Sequence, residues 1–339
     1  MQKTSINIVT EVIFKVVLVA LGLWFLYAVR DIVAVFFVSV ILMAALEPTV
    51  RWFQRRKVNR VLAVTLVYLL LFLIIGISIS FMVPAVIVQF QEFSRNLPSY
   101  LEGISNIASG LNKYFQTQGI SFSSQDIFSN LRGNFGNLFS RTLGVFSGLF
   151  SFVVIISMAF YMSVKEDGME KFFQSITPKI YDNYVVSLAK RIKSKIGKWM
   201  LGQILLMVII FLLDFLVLYL LGVPYALIIA IIGGILEIIP YIGPTVSTII
   251  AGAMGLLFSP IKGLLVIIGY ILIQVAENNV FVPQIMKKAV GLNPLAVILA
   301  LLIGAKIGGV LGAILSVPIA TIAGVLIGDW MAFRDASKE

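Results

Sequence analysis

Cysteine and histidine are both absent from the 339 residues. Without thiol or imidazole there is no disulfide, no Cys/His zinc site, no thiol nucleophile and no histidine base. Most hydrolase layouts fall away, and only carboxylates, lysine and tyrosine remain for proton work. The chain is therefore not expected to be an enzyme, and no cofactor is implied. Charge is scarce as well: 12 % of residues are charged and 60 % hydrophobic, whereas soluble domains carry roughly 25 % charged residues. Lipid is the expected solvent. The net charge of +10 does not point to nucleic acid, because the cations cluster in loops beside apolar runs, as the positive-inside bias dictates. No small-residue cleavage site follows the first apolar stretch, so it is read as retained and not as a signal peptide.

A membrane helix needs about 20 mostly apolar residues, and the chain offers several such runs. Residues 12–29 and 32–46 are separated only by Arg30 and Asp31. One straight helix through both would measure about 52 Å at 1.5 Å per residue, too long for one crossing, so a tight helical hairpin is expected there. Arg51, Arg55, Arg56, Lys57 and Arg60 follow and mark a cytoplasmic loop. Residues 61–83 form a third span closed by Pro84. From 84 to 142 the composition turns to Ser, Asn, Gln and Gly, as expected of an extracytoplasmic segment with amphipathic helices. Residues 143–164 return inward to a second basic stretch, 165–198, which carries Lys190, Arg191, Lys193, Lys195 and Lys198. Residues 200–221 then cross outward. The expected organisation is a membrane scaffold over 1–83, the extracytoplasmic segment 84–142, a span with a basic cytoplasmic stretch over 143–198, a transport unit over 199–328 and a cytoplasmic tail, 329–339. Both termini are expected in the cytoplasm of a bacterial cell, with the chain in its inner membrane.

The last third differs in kind. Residues 225–239 are apolar, Pro240-Tyr241-Ile242-Gly243-Pro244 interrupts them, and 245–258 are apolar again. Each arm reaches only about 22 Å if helical, which suits a re-entrant hairpin better than a full span. Residues 263–283 cross inward to Lys287 and Lys288. Residues 295–328 form a second broken unit, interrupted by Lys306, Gly308, Gly309, Gly312 and Pro318. A shift of 70 residues aligns Pro224 with Pro294, Ala226 with Ala296, Ala230 with Ala300 and Gly234 with Gly304, and a slip of four aligns Pro244 with Pro318. Each unit follows a full span, and those spans run in opposite directions. The expected fold is thus an all-α membrane protein, a helical bundle of about six full spans plus two re-entrant helical hairpins in an inverted repeat. Short Gly/Pro-interrupted segments at matching positions point to a transporter with its site near the midplane. The competing reading is a plain bundle whose glycines serve close packing.

Four charged residues interrupt apolar runs: Asp214, Glu237, Glu277 and Lys306. Each costs at least about 2.5 kcal/mol at a helix centre and needs a partner, water or the protein interior. Glu237 precedes the Pro240 break, and Glu277 begins Glu277-Asn278-Asn279 near Gln274. Both carboxylates are candidates for transport, with capping of broken helix ends as the structural alternative. Asp214 either serves transport or pairs with a neighbouring helix. Lys306 either snorkels or neutralises a carboxylate. Substrate is expected between the two hairpin tips, Glu237, Pro240, Gly243 and Pro244 on one side and Gly308, Gly309 and the run to Pro318 on the other, with Gln274, Glu277, Asn278 and Asn279 facing the same cavity.

Three motifs in order, Glu237-Ile-Ile-Pro240-Tyr241-Ile-Gly243-Pro244, Glu277-Asn278-Asn279-Val-Phe-Val-Pro283 and Gly291-Leu-Asn293-Pro294 with the Gly-rich run to Pro318, resemble the signature of the autoinducer-2 exporter family. The resemblance covers nearly the whole chain. It implies a transporter fold with two hairpins, often a homo-oligomer, and export of a small molecule. Family members have been linked both to the signal autoinducer-2 and to sodium/proton exchange. Export of a small polar metabolite driven by an ion gradient is the leading expectation. A sodium/proton antiporter using Glu237 and Glu277 is the first alternative, and a structural scaffold in the lipid bilayer is the alternative from another class.

Overall fold

The computed structural model describes residues 13–22, 24–25, 28–116, 145–165, 167–286 and 293–336. Among them the chain is helical throughout, with no strand. The helices are α1 (Ile13–Gly22), α2 (Arg30–Arg55), α3 (Arg60–Gln116), α4 (Val145–Val164), α5 (Gly168–Ile176), α6 (Asp182–Leu220), α7 (Ala226–Leu236), α8 (Ile242–Phe258), α9 (Pro260–Ala276), α10 (Val282–Met286) and α11 (Pro294–Ala336). Without water, each backbone N–H and C=O must be satisfied within its own segment, and the helix does this. Five helices among the described residues are long and apolar enough to cross a membrane, where the sequence suggested about six full spans. The fifth, α11, is itself broken.

Two expected interruptions do not occur. The N–H of Val29 donates to the carbonyl of Phe25 and that of Val33 to Val29, both at 3.0 Å. Helical bonding therefore carries through Arg30, and the chain does not reverse there as the length argument required. Nor does Pro84 close the third span, since α3 continues past it to Gln116. A proline inside a helix forfeits one hydrogen bond, which neighbouring groups and local adjustment accommodate in membrane helices. The rest of the expected extracytoplasmic segment, 117–142, lies outside the described residues, as do Lys287, Lys288 and Gly291.

The scaffold half is built on α2, α3 and α4, where Met43, Val50, Val64, Tyr68 and Ala159 form a buried core. Its basic end is closed by Glu47, a buried carboxylate that accepts from Arg51 at 2.9 Å and from Arg60 at 3.1 Å and lies 3.6 Å from the Lys193 ammonium. Arg60 also donates to the carbonyl of Ser163 at 2.8 Å. One carboxylate thus ties α2 to α3 and α6, and through Arg60 to α4. At the same end Arg191 forks onto Asp329 at 2.7 and 2.6 Å, joining α6 to α11.

In the carboxy-terminal half α7 and α8 form a hairpin that packs on α6 and α9 through Leu218, Tyr225, Ile229, Ala251 and Val266. Glycine permits the contact with α6: a Cβ on Gly234 would lie 2.7 Å from the Phe211 side chain. The second unit also folds back. Within α11 the backbone leaves the helix at Gly309 (φ 59°, ψ −138°), and Gly304 meets Gly312, so that a Cβ on Gly304 would lie 3.0 Å from the Gly312 carbonyl carbon. Pro318 does not break its helix; it continues the longer second arm, buried.

Candidate functional site

The tip of the first hairpin is shaped by four consecutive constraints. Helix α7 ends at Leu236; Pro240 has no N–H to continue it; Tyr241 adopts φ 65°, a left-handed conformation costly for a side chain of its size. Gly243 then presses on the carbonyl of Leu236, a spot that any Cβ would occupy. The result is a short non-helical bridge at Glu237–Tyr241, in which the N–H groups of Glu237, Ile238 and Ile239 still donate to carbonyls of α7, and the carbonyls of Ile239 and Pro240 accept from Gly243 and Ile242. Gln203 of α6 reaches the bridge from outside, its Nε2 donating to the Glu237 carbonyl at 2.6 Å.

Glu277 arrives from the other side. Between α9 and α10 the helix widens into a π turn, Glu277–Phe281, a local rearrangement that frequently marks functional sites. The turn begins at Glu277, whose carboxyl is buried, as is that of Glu237. Glu237 Oε2 has no hydrogen-bond partner among the described residues.

The two carboxyls line a cavity of about 450 Å³, together with Gln203, Gln274, Asn278 and Tyr241 and the apolar walls of Trp199, Leu206, Pro240, Pro244, Pro294 and Val317. None of its lining side chains among the described residues is a cation. Beside it, deeper between α6 and α8, Asp214 accepts from the Ser247 hydroxyl at 3.3 Å. The Tyr270 hydroxyl faces the same two groups outside hydrogen-bond geometry.

The structure therefore brings together Glu237, Pro240, Pro244, Gln274, Glu277 and Asn278 around one cavity, with Gly243 packed behind it. It leaves others elsewhere. Asn279 is exposed and its amide donates to the carbonyl of Val275 at 2.8 Å. Gly308 and Gly309 line a different cavity, of about 470 Å³, against Arg30, Asp31 and Phe37. Pro318 is buried one residue from Val317 at the cavity wall, and Lys306 is exposed. The first hairpin's tip meets the arms of the second, Ile239 packing on Leu301 and Ala313, and not its tip. Gln203, Ser247, Tyr270 and Trp199 were not singled out from sequence. Gln203 gave a readable signal, as an amide inside the apolar run 200–221; the others are ordinary in apolar helices.

Residues 13–332 match the sequence model of a family described as AI-2E family transporter. The Bacillus subtilis protein YrrI is 24 % identical over 320 residues, covering 92 % of this chain and 91 % of that protein. A sodium-lithium/proton antiporter of Halobacillus andaensis is 25 % identical over 340 residues, covering 91 % and 93 %. The AI-2 transport protein TqsA of Escherichia coli is 24 % identical over 303 residues, covering 88 % and 86 %.

Proposed function

The chain belongs to the AI-2E family of membrane transporters, and from that premise we propose that it moves a small polar solute through the cavity at the first hairpin's tip, coupled to protons or sodium. One observation carries the reading: a cavity of about 450 Å³ lined, among the described residues, by two carboxyls, three amides and no cation. Its volume falls in the range of about 300–1,000 Å³ typical of small-molecule sites. The amides offer neutral donors and acceptors to a polar solute. Autoinducer-2 is a solute of this class, and the Escherichia coli relative is named for it.

Two carboxyls in one cavity support a second reading, exchange of sodium for protons, in keeping with the name of the Halobacillus relative. In either case a proton or cation must leave the pair for the cavity to cycle, because an unneutralised charge is costly at membrane depth. Alternating access is then a movement of the unit 199–328 against the amino-terminal scaffold, and the two hairpins are halves of an inverted repeat.

In liposomes, uptake of labelled autoinducer-2 and of sodium, each with and without a pH gradient, separates the two readings. Glu237→Gln and Glu277→Gln should each abolish coupled flux while leaving membrane insertion intact. If both variants keep normal flux and normal pH dependence, the carboxyls are structural and the site lies elsewhere.

The basic end, with Arg51, Arg55, Lys190 and Lys193, supports a cytoplasmic placement of that end, and of the carboxy-terminal stretch that Arg191 holds there through Asp329, in a bacterial inner membrane. Because the chain has no cysteine, single substitutions report cleanly. Ser123→Cys should react with an impermeant thiol reagent in intact cells and Lys179→Cys only after permeabilisation. The reverse pattern would invert the orientation.

A further inference from the structure

A second cavity, outside the site just described, opens at the basic end between α2, α5 and α6. It has about the same volume, 450 Å³, and the opposite character. Arg51, Arg55, Lys190, Lys193 and Lys198 line it. Arg51 and Lys193 are engaged by Glu47, whereas Arg55, Lys190 and Lys198 stand exposed at its rim. A concave cluster of this kind attracts an anion.

Two further features narrow the ligand. Glu170 of α5 also lines the cavity, is only 5 % exposed, and its Oε2 has no hydrogen-bond partner among the described residues. A buried acceptor in a cationic cavity calls for a hydroxyl or amine donor carried by the same ligand. Below the cavity, the face of α6 that bears Ser194 and Lys198 continues at helical spacing through Leu201, Leu205, Val208 and Leu212, which are 41, 49, 47 and 54 % exposed. That stripe runs from the cationic cavity along the apolar span, as a pair of acyl chains would lie beneath a headgroup. Trp52, 48 % exposed and capped by the Arg56 guanidinium 3.9 Å from its ring, flanks the mouth as interfacial aromatics do.

We propose that the cavity between α2, α5 and α6 is a binding site for an anionic glycerophospholipid with a free headgroup hydroxyl, such as phosphatidylglycerol. The phosphate meets Arg55, Lys190 and Lys198, the hydroxyl donates to Glu170, and an acyl chain follows the Leu201–Leu212 stripe. Basic pockets between membrane helices are suited to such headgroups.

The test is native mass spectrometry of the full chain released from detergent, with lipids of matched chains added singly. Phosphatidylglycerol should be retained more tightly than phosphatidic acid, which lacks the hydroxyl, and phosphatidylcholine should not be retained. The double variant Lys190→Gln/Lys198→Gln should weaken phosphatidylglycerol roughly tenfold or more, and so, to a lesser degree, should Arg55→Gln. Glu170→Gln should erase the preference over phosphatidic acid. All of these cations are exposed, so folding is preserved. Displacement of the lipid by inorganic phosphate or glycerol 3-phosphate would identify a site for a soluble anion and overturn the lipid assignment. Equal retention of phosphatidylcholine, or unchanged affinity in the double variant, would overturn the site itself.

Discussion

At the scale of single residues, the membrane interior sharpens the difference between charges that are paired and charges that are not. Glu47 is the clearest case, because three cations converge on it with unequal stakes. The side chains of Arg60 and Lys193 are 10 and 7 % exposed, whereas that of Arg51 is 57 % exposed. Removing the carboxylate leaves Lys193 and Arg60 buried without their counter-anion, Arg60 keeping neutral acceptors such as the Ser163 carbonyl, a loss of about 3–5 kcal/mol, while Arg51 can turn to water at a cost of at most about 1 kcal/mol. Glu47→Gln should therefore lower the thermal unfolding midpoint in detergent markedly and Arg51→Gln hardly at all. Comparable shifts for the two would mean that the cluster is solvated. The same reasoning from cost made Asp214, Glu237 and Glu277 visible in the sequence, since a carboxylate in an apolar run has to be accounted for. It could not have shown that Glu237 and Glu277 line one cavity, since Glu277 enters it from a π turn, Glu277–Phe281, which no periodicity encodes. Lys306 attracts attention by the same cost argument, yet it lies exposed.

Helical elements were legible wherever the backbone itself was altered. Pro240, Gly243 and Pro244 announced the first hairpin, and its bridge, Glu237–Tyr241, begins and ends three residues ahead of the expected break at Pro240–Pro244. For the second hairpin the sequence offered five interruptions and the structure uses one, Gly309; Pro318 lies within the returning arm. Charge proved a weaker marker than conformation: Arg30 and Asp31 do not end a helix, because a charged pair leaves i to i−4 bonding intact. Gly308 and Gly309 test the distinction directly. A Cβ added at either meets nothing within 4 Å, but only Gly309 has a positive φ. Its φ and ψ fall near a region essentially reserved for glycine, where a side chain costs of order 1–3 kcal/mol. Gly309→Ala should destabilise by about that amount in thermal unfolding, with Gly308→Ala neutral or slightly stabilising through its gain in helix propensity. Equal effects would show that the fold-back does not depend on the Gly309 conformation.

For the whole molecule, the question is what the amino-terminal half is for, since the carboxyl cavity is built almost entirely from α6 onward. Association with further copies of the chain is the reading its surface supports. Apolar exposure alone says little, because lipid covers apolar helices as well as protein does. Glycine says more. Gly22 and Gly76 have open space where a Cβ would stand, although glycine costs a helix about 1 kcal/mol relative to alanine. On α3 Gly76 is followed four residues later by Ser80, and two small residues at that spacing let a second helix approach closely enough for backbone contact. Residues 13–22 of α1 are exposed throughout, which a second copy would also relieve. The expectation is a homo-oligomer in nanodiscs by native mass spectrometry, converted to smaller species by Gly76→Leu, which fills the open face without touching the carboxyl cavity. A chain that is monomeric in both nanodiscs and mild detergent would refute the scaffold role. An oligomer indifferent to Gly76→Leu would place the interface elsewhere than this face of α3.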